Sequence, residues 1–126
     1  MKSIIYTKNA PEPIGPYSQA VKTGNLLFVS GQIPADPATG EIVSGGIEAE
    51  TTMVMKNLQA ILTEAGAGFE HVIKTTIFLK NMGDFAAVNA IYGSYFTADF
   101  PARETVQAAA LPKNVNVEIS VIADLS

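Results

Sequence analysis

Residues 47–80, IEAETTMVMKNLQAILTEAGAGFEHVIKTTIFLK, hold the helix and the strand that decide the fold of this chain. Apolar and small side chains recur at spacings of three and four through Ile47–Ala65, which predicts an amphipathic helix, and Gly66 supplies its stop. β-Branched residues dominate Val72–Lys80, which predicts a strand. The apolar residues of that strand are Ile73, Ile77 and Leu79 on one face and Val72 and Phe78 on the other. The apolar residues on both faces of this strand therefore need to be buried by other parts of the protein.

The segments on either side extend this pair into a mixed sheet with a second helix. Alternation and turn residues predict strands at Lys2–Tyr6, Ala20–Lys22, Leu26–Ser30, Arg103–Ala110 and Val115–Ala123, a helix at Asp84–Phe96, a proline-rich arm at Asn9–Tyr17 and a long loop at Pro34–Gly46. This order predicts an α+β fold in a single domain, residues 1–126, with a mixed sheet and both helices on one of its faces. Because no segment is left to cover the other face, we expect a homo-oligomer with binding clefts between its subunits.

The amino-acid composition excludes several kinds of catalytic and binding site. The chain has no cysteine and a single histidine, His71, which excludes thiolate catalysis, disulfides and a histidine-rich metal site. The formal net charge is −4 and the lysines form no cluster, so we expect no nucleic-acid partner. No run approaches the ~20 apolar residues of a membrane span, and the N-terminus lacks the apolar core of a signal peptide. We therefore expect a soluble, cytoplasmic protein with no membrane partner.

Arg103 is the only arginine in the chain and stands at the start of a predicted strand. Its planar guanidinium can bind a carboxylate through two parallel hydrogen bonds, which a lysine cannot do. This property makes Arg103 a candidate anchor for a small carboxylate ligand. The alternative is a surface ion pair, which contributes little to stability.

Glu118 interrupts the apolar residues of the last predicted strand. Its neighbours in sequence point to the helix-covered face, so Glu118 points to the opposite face. A partly desolvated carboxylate there is a candidate general base or water-positioning group, and the alternative is an ion pair with Arg103 or a lysine. A turn at Leu111–Asn114 predicts a tight hairpin that sets Glu118 opposite Gln107 or Thr105. Arg103 and Glu118 are then expected on the same sheet face.

Five sequence motifs occur in the order and spacing of one known family. They are Ile14–Tyr17 (IGPY), Val29–Pro34 (VSGQIP), Val88–Tyr92 (VNAIY), Phe100–Arg103 (FPAR) and Leu111–Lys113 (LPK), which Glu118 follows. The chain resembles the reactive intermediate (imine) deaminase family, also called the Rid or YjgF family, over essentially its whole length, and its arginine matches the archetypal deaminase branch. The resemblance implies a chorismate-mutase-like fold assembled as a homotrimer, with a ligand site in each cleft between subunits. It implies no metal or organic cofactor.

The activity that the resemblance implies is that of a 2-iminobutanoate/2-iminopropanoate deaminase. Such an enzyme hydrolyses reactive 2-imino or 2-enamino acids, including 2-aminoacrylate, to 2-oxo acids and ammonia. Carried over by motif, Arg103 clamps the substrate carboxylate, Glu118 activates or orients the attacking water, and Tyr17 on the arm closes the cleft. The alternative is a regulatory trimer that binds a small carboxylate without turnover. Glu118→Gln separates the two, because only the enzyme requires Glu118 for its rate.

The same motifs assign four further residues to the site. Ser30 and Gly31 place backbone groups against the ligand, and Asn89 shapes the pocket from the second helix. Thr105 stands where many family members have a cysteine, two residues after the arginine and on the same strand face. Three of these residues have simpler alternatives: Gly31 ends a strand, Ser30 belongs to a turn, and Asn89 is a helix-surface amide.

Overall fold

The computed structural model describes all residues, 1–126, and contains six strands and two α-helices. In chain order they are β1 Ser3–Ile5, β2 Ala20–Thr23, β3 Leu26–Gln32, α1 Ile47–Glu64, β4 Val72–Leu79, α2 Phe85–Gly93, β5 Ala102–Gln107 and β6 Val117–Asp124. The strands form one sheet in the order β1-β2-β3-β6-β4-β5, in which β4 and β5 are the parallel pair. Both helices cover the same face of the sheet. The predicted α+β architecture is therefore confirmed.

Helix α1 buries the stripe that its sequence predicts. Val54, Leu58 and Ile61 have no exposed surface and pack among the inward side chains of the sheet. The chain leaves the helix at Gly66, whose φ of 79° lies in the left-handed region that favours glycine. Neither helix is long and apolar enough to cross a membrane.

Helix α2 is shorter than the predicted Asp84–Phe96. It ends at Gly93, and the N–H groups of Ser94, Tyr95 and Phe96 donate to carbonyl oxygens three residues back, so the chain continues in tighter turns. The rings of Tyr95 and Phe96 pack on the ring of Phe69, at centroid distances of 5.3 and 5.4 Å. Tyr95 and Phe96 therefore pack against the core from the turns that follow α2, although their spacing fits the helical period.

Strand β6 has the predicted alternation but not the predicted neighbour. Val117, Ile119 and Val121 are buried under the helices, and Glu118 lies on the opposite, open face. The predicted hairpin of the last two strands is wrong, because β6 lies between β3 and β4 and not beside β5. The reason is the helical crossover from β4 through α2, which makes β5 parallel to β4 and places it on the outer side of that strand.

This strand order puts Arg103 and Glu118 on opposite faces of the sheet. Arg103 is paired with Thr75 of β4, which is completely buried on the helix side. Glu118 is paired with Phe78, which alternates with buried residues and so points to the open face. Because directly paired residues point to the same side of a sheet, the expectation that Arg103 and Glu118 share a face is wrong.

A β-bulge at the start of β4 changes which of its residues reach the core. Val72 is paired with Ala123, but the next pair is Lys74 with Ile122, so Ile73 is left out of the ladder. Val72 is buried and Ile73 is 47% exposed. Simple alternation predicts that Ile73 shares a face with Ile77 and Leu79. That prediction is wrong for Ile73, which is exposed, whereas Ile77 and Leu79 are buried.

No helix covers the face of the sheet away from α1 and α2. An apolar row crosses it, formed by Ile4, Val21, Phe28 and Ile122, which are paired with one another in neighbouring strands. Ile4 is 56% exposed and Phe28 is 43% exposed. An exposed apolar row of this kind is typical of a surface that contacts another protein.

Candidate active site

A cleft of about 890 Å³ lies where β3 and β6 run beside the proline-rich arm. Its walls come from the arm, from residues 30–40 and from the turn before β6. Four of the seven predicted site residues line it: Tyr17 on the arm, Ser30 and Gly31 on β3, and Glu118 on β6. We call this site the glutamate cleft.

Partial burial sets the chemistry of Glu118 in the glutamate cleft. Its carboxyl group makes no hydrogen bond or ion pair within the chain. The carboxyl is half-buried, and this desolvation raises the pKa of Glu118 above that of an ordinary glutamate. A carboxylate with a raised pKa and no partner can accept a proton from water more readily than an exposed one.

A β-bulge in β3 brings the backbone against this carboxyl group. The register of β3 against β6 shifts between Val29 and Gln32, so Ser30 and Gly31 form the bulge. A Cβ atom at Gly31 would lie 2.1 Å from Oε2 of Glu118 and 3.0 Å from its Cδ. Gly31 therefore lies inside a strand and not at its end, and its missing side chain leaves the space that the carboxyl occupies.

Gln19 fastens the arm to the rest of the fold. Its side chain is 2% exposed and accepts a hydrogen bond from the N–H of Thr7 at 2.7 Å. Its amide nitrogen donates to the carbonyl oxygens of Thr7, Ala10 and Pro11 at 2.9, 3.3 and 3.0 Å. The arm is thus a fixed wall of the glutamate cleft in this structure. The sequence analysis did not identify Gln19, and its place directly after the IGPYS segment was the available signal.

Ser30 connects the arm to the bulge. Its hydroxyl donates to the carbonyl oxygen of Ser18 at 2.6 Å, and its N–H donates to the carbonyl oxygen of Gln19 at 2.9 Å. The Ser30 proton is therefore engaged within the chain, which leaves the hydroxyl oxygen as an acceptor. Tyr17 is 54% exposed, and its hydroxyl is free to donate a hydrogen bond to a molecule in the cleft.

Arg103 lies on the helix side of the edge strand β5, where α2 holds its side chain. Its Nη1 donates to Oδ1 of Asn89 at 2.6 Å. Its guanidinium carbon lies 5.6 Å from the ring centroid of Phe85 and 5.1 Å from that of Tyr92. The Tyr92 hydroxyl donates to Oγ1 of Thr75 at 2.9 Å, which fixes the ring. The guanidinium is held by these contacts, yet most of its five N–H donors stay available.

Sequence reasoning missed the two aromatic residues that flank the guanidinium. Neither residue was assigned to the site, although Tyr92 belongs to the VNAIY motif and Phe85 is 40% exposed. The available signal was their spacing, because Phe85, Asn89 and Tyr92 are separated by four and three residues and so share one helix face. Burial raises the pKa of Tyr92, against the opposing effects of its hydrogen bond and of the Arg103 charge, so its hydroxyl keeps its proton.

Thr105 completes this second group, which we call the arginine cluster (Arg103, Asn89, Thr105, Phe85 and Tyr92). Thr105 follows Arg103 by two residues on the same side of β5, and its hydroxyl is buried without a hydrogen-bond partner. A buried hydroxyl without a partner destabilises a fold by about 1–3 kcal/mol. Rotation of the side chain would offer this group to a molecule beside Arg103.

The seven predicted site residues thus fall into two groups on opposite sides of the sheet. The glutamate cleft holds Tyr17, Ser30, Gly31 and Glu118, and the arginine cluster holds Arg103, Asn89 and Thr105. Strand β4 separates β5 from β6. A single copy of the chain therefore cannot place Arg103 and Glu118 on the same small ligand. No three side chains of His, Cys, Asp or Glu gather into a group that could hold a metal ion.

The fold and its two groups of polar residues define a class: small α+β proteins with a glutamate cleft on the open face of the sheet and a braced arginine on the helix side. The chain belongs to the Rid/YjgF family, because the family model described as Endoribonuclease L-PSP matches residues 7–125. This finding confirms the family that the sequence motifs indicate.

Individual relatives support the same assignment over the full chain. The chain is 54% identical over 123 residues to a RutC family protein of Pyrococcus horikoshii, and 98% of each protein is covered. It is 48% identical over 124 residues to Reactive Intermediate Deaminase A, chloroplastic, of Arabidopsis thaliana, covering 98% of this chain and 66% of the relative. The crystal structure of E. coli TdcF with bound serine superposes with a TM-score of 0.94 at 42% identity, covering 98% of this chain and 99% of that one.

Proposed function

We propose that this protein hydrolyses small 2-imino acids to 2-oxo acids and ammonia, with 2-iminobutanoate and 2-iminopropanoate (the tautomer of 2-aminoacrylate) as substrates. The observation that carries the proposal is the half-buried, unpaired carboxyl group of Glu118 in a cleft large enough for such a molecule. The chain belongs to the family of a protein named Reactive Intermediate Deaminase A, and that name indicates the same kind of reaction.

The reaction needs one proton acceptor and no redox chemistry. Ionised Glu118 accepts a proton from water as the water oxygen bonds to the imine carbon. Protonation of the nitrogen then allows the carbon–nitrogen bond to break, and ammonia leaves as the carbonyl forms. The raised pKa of Glu118 suits both halves of this transfer, because the same carboxyl group must accept a proton and return it.

Arg103 supplies the anchor for the carboxylate that every 2-imino acid carries. Asn89 and the two flanking rings hold the guanidinium in one orientation, so little freedom is lost when a carboxylate binds the N–H groups that are left. The serine bound to E. coli TdcF is a small molecule with a carboxylate on its α-carbon, which supports a small carboxylate as the ligand here. Thr105 lies on the same side of β5, where its unpaired hydroxyl can contact the bound molecule.

Both groups can act on one substrate only if they come from different copies of the chain. The exposed apolar row of the open face gives a reason for copies to associate, because a second copy would bury Ile4 and Phe28. We propose a homotrimer in which the arginine cluster of one subunit faces the glutamate cleft of the next. A closed ring of this kind has one complete site at each interface.

The decisive experiment mixes two inactive variants. Ammonia release from 2-iminobutanoate, generated in situ from threonine by a threonine dehydratase, is measured for wild type, Arg103→Ala, Glu118→Gln and a co-refolded equal mixture of the two variants. Each variant alone is expected to be inactive. In the mixture, about one quarter of the interfaces pair an intact arginine with an intact glutamate, so activity returns.

Two results would contradict parts of this proposal. A mixture as inactive as its components would show that Arg103 and Glu118 do not act across an interface. A wild-type protein that binds 2-oxobutanoate through Arg103 but does not speed hydrolysis would favour the regulatory carboxylate-binding protein over the enzyme.

A further inference from the structure

The turn that precedes β6 carries a lysine in an unfavourable backbone conformation. Lys113 has a φ of 54° and Asn114 has a φ of 57°, and the N–H of Val115 donates to the carbonyl oxygen of Pro112 at 3.2 Å. These features define a type I′ turn, whose central positions favour Asn and Gly. A lysine in the left-handed region destabilises the fold by about 1 kcal/mol relative to glycine. The fold alone gives no reason for a lysine here.

The position of Lys113 gives its side chain a place to act. It lines the glutamate cleft and is the single basic residue among the residues that do so. The acidic residues of the cleft are Glu12 and Glu118. Glu12 accepts a hydrogen bond from the hydroxyl of Tyr6, and neither acid forms an ion pair with Lys113. The ammonium group is therefore available to an anionic group that enters the cleft.

The size of the cleft leaves room for such a group. In a single copy of the chain, without the arginine cluster of a neighbour, its volume is about 890 Å³, which is far larger than a four-carbon imino acid requires. A substrate that reaches Glu118 with its imine carbon can therefore extend along the cleft toward the turn. The end of the substrate that lies farthest from its imine carbon would then approach Lys113.

We propose that Lys113 makes this site select dicarboxylic 2-imino acids, whose second carboxylate binds the lysine ammonium group. The inference rests on the proposed deaminase function and names the substrate class of that same site. Arg103 of a neighbouring copy binds the carboxylate next to the imine carbon, and Lys113 binds the carboxylate at the other end. The overall step is hydrolysis: water supplies the carbonyl oxygen, the carbon–nitrogen bond breaks, and ammonia leaves with the transferred protons.

The test compares two substrates and two lysine variants. 2-Iminoglutarate, generated from glutamate by a flavin oxidase, is the dicarboxylic substrate. 2-Iminobutanoate, whose side chain carries no charge, is the reference substrate. Lys113→Asn removes the ammonium group but suits the type I′ turn, so it is expected to fold with a higher Tm than wild type. Lys80→Asn is the matched control, because Lys80 is an exposed lysine that does not line the cleft.

The measured quantity is kcat/KM for 2-iminoglutarate divided by kcat/KM for 2-iminobutanoate. Loss of one charge-assisted hydrogen bond is expected to lower this ratio about tenfold in Lys113→Asn, while Lys80→Asn keeps the wild-type ratio. An unchanged ratio in Lys113→Asn, with wild type active on 2-iminobutanoate, overturns the inference and leaves the deaminase function standing.

Direct binding separates the failure of the inference from the failure of the proposed function. Titration calorimetry with 2-oxoglutarate and 2-oxobutanoate reports the same selectivity without turnover. Lys113-dependent preference for 2-oxoglutarate in a protein that hydrolyses neither imine would uphold the selectivity and overturn the deaminase function. Equal binding of both oxo acids by wild type and Lys113→Asn would overturn the selectivity.

Discussion

Adding one methyl group at Gly31 tests whether the position of the Glu118 carboxyl group sets the activity. In Gly31→Ala the new Cβ would lie 2.1 Å from Oε2 of Glu118, whereas ordinary contacts begin at 3.4 Å. The carboxyl group must therefore retreat by about 1.3 Å, and Cδ at 3.0 Å and Cγ at 3.1 Å must shift with it. A displacement of about 1 Å at a catalytic group can reduce a rate about 100-fold.

The same substitution is expected to affect stability much less than activity. Glu118 makes no hydrogen bond that the movement would break, and one strained side-chain torsion costs about 0.5–1.5 kcal/mol. Movement of the carboxyl toward water also relieves its desolvation, which returns the pKa of Glu118 toward that of an ordinary glutamate. The acid limb of kcat/KM should therefore move to lower pH in Gly31→Ala.

The assay is ammonia release from 2-iminobutanoate across a pH series, together with thermal unfolding of the same samples. Gly93→Ala is the control, because a Cβ at Gly93 meets no atom within 4 Å and glycine is the weaker helix former. It should keep the wild-type rate. A Gly31→Ala protein with at least half of the wild-type kcat/KM and an unshifted acid limb would refute the role given to the Glu118 position.

Two further substitutions test the electrostatics of the cleft and the attachment of its arm. Burial raises the pKa of Glu118, so the folded state binds more protons than the unfolded state between the ordinary and the raised pKa, and stability falls as pH rises through that window. Glu118→Gln should therefore have a higher Tm than wild type above the window, with the difference disappearing below the ordinary glutamate pKa; identical pH dependence in both proteins would contradict the desolvation argument. Gln19→Met leaves four backbone groups without their partner, so we expect a loss of about 3 kcal/mol in the free energy of unfolding. Hydrogen exchange at the Thr7 amide should become faster. The control is Gln59→Met on the exposed side of α1, which should change neither quantity. Unchanged exchange in Gln19→Met would show that the arm is held by other contacts.

Features of the fold that depend on local periodicity could be predicted from the sequence. Ile47–Ala65 differs from α1 by one residue at its end, and the alternation around Glu118 gave the correct face for that carboxyl group. Both predictions depend on residues close together in the chain, where helix and strand periods leave a clear pattern. The predicted architecture of a mixed sheet with both helices on one face followed from the order of these elements.

Features that depend on distant pairing could not be predicted from the same patterns. The choice of β4 and not β5 as a neighbour of β6 places Arg103 and Glu118 on opposite faces, and nothing in either strand alone encodes that choice. The contact between Gly31 and Glu118 and the hydrogen bonds of Gln19 join residues that are far apart in sequence. The motifs identified most of the residues concerned, but their division between the glutamate cleft and the arginine cluster became visible only with the strand order.

The central place of β6 has a consequence for how the chain acquires its structure during synthesis. Without residues 117–124, the sheet is two separate pieces, β1-β2-β3 and β4-β5, with no backbone hydrogen bonds between them. The strand that joins these pieces is the last of the six to be made, and its partners in β3 lie far back in the sequence. Contacts of such long sequence separation slow folding, so the nascent chain exposes two unjoined sheet edges until β6 has emerged from the ribosome.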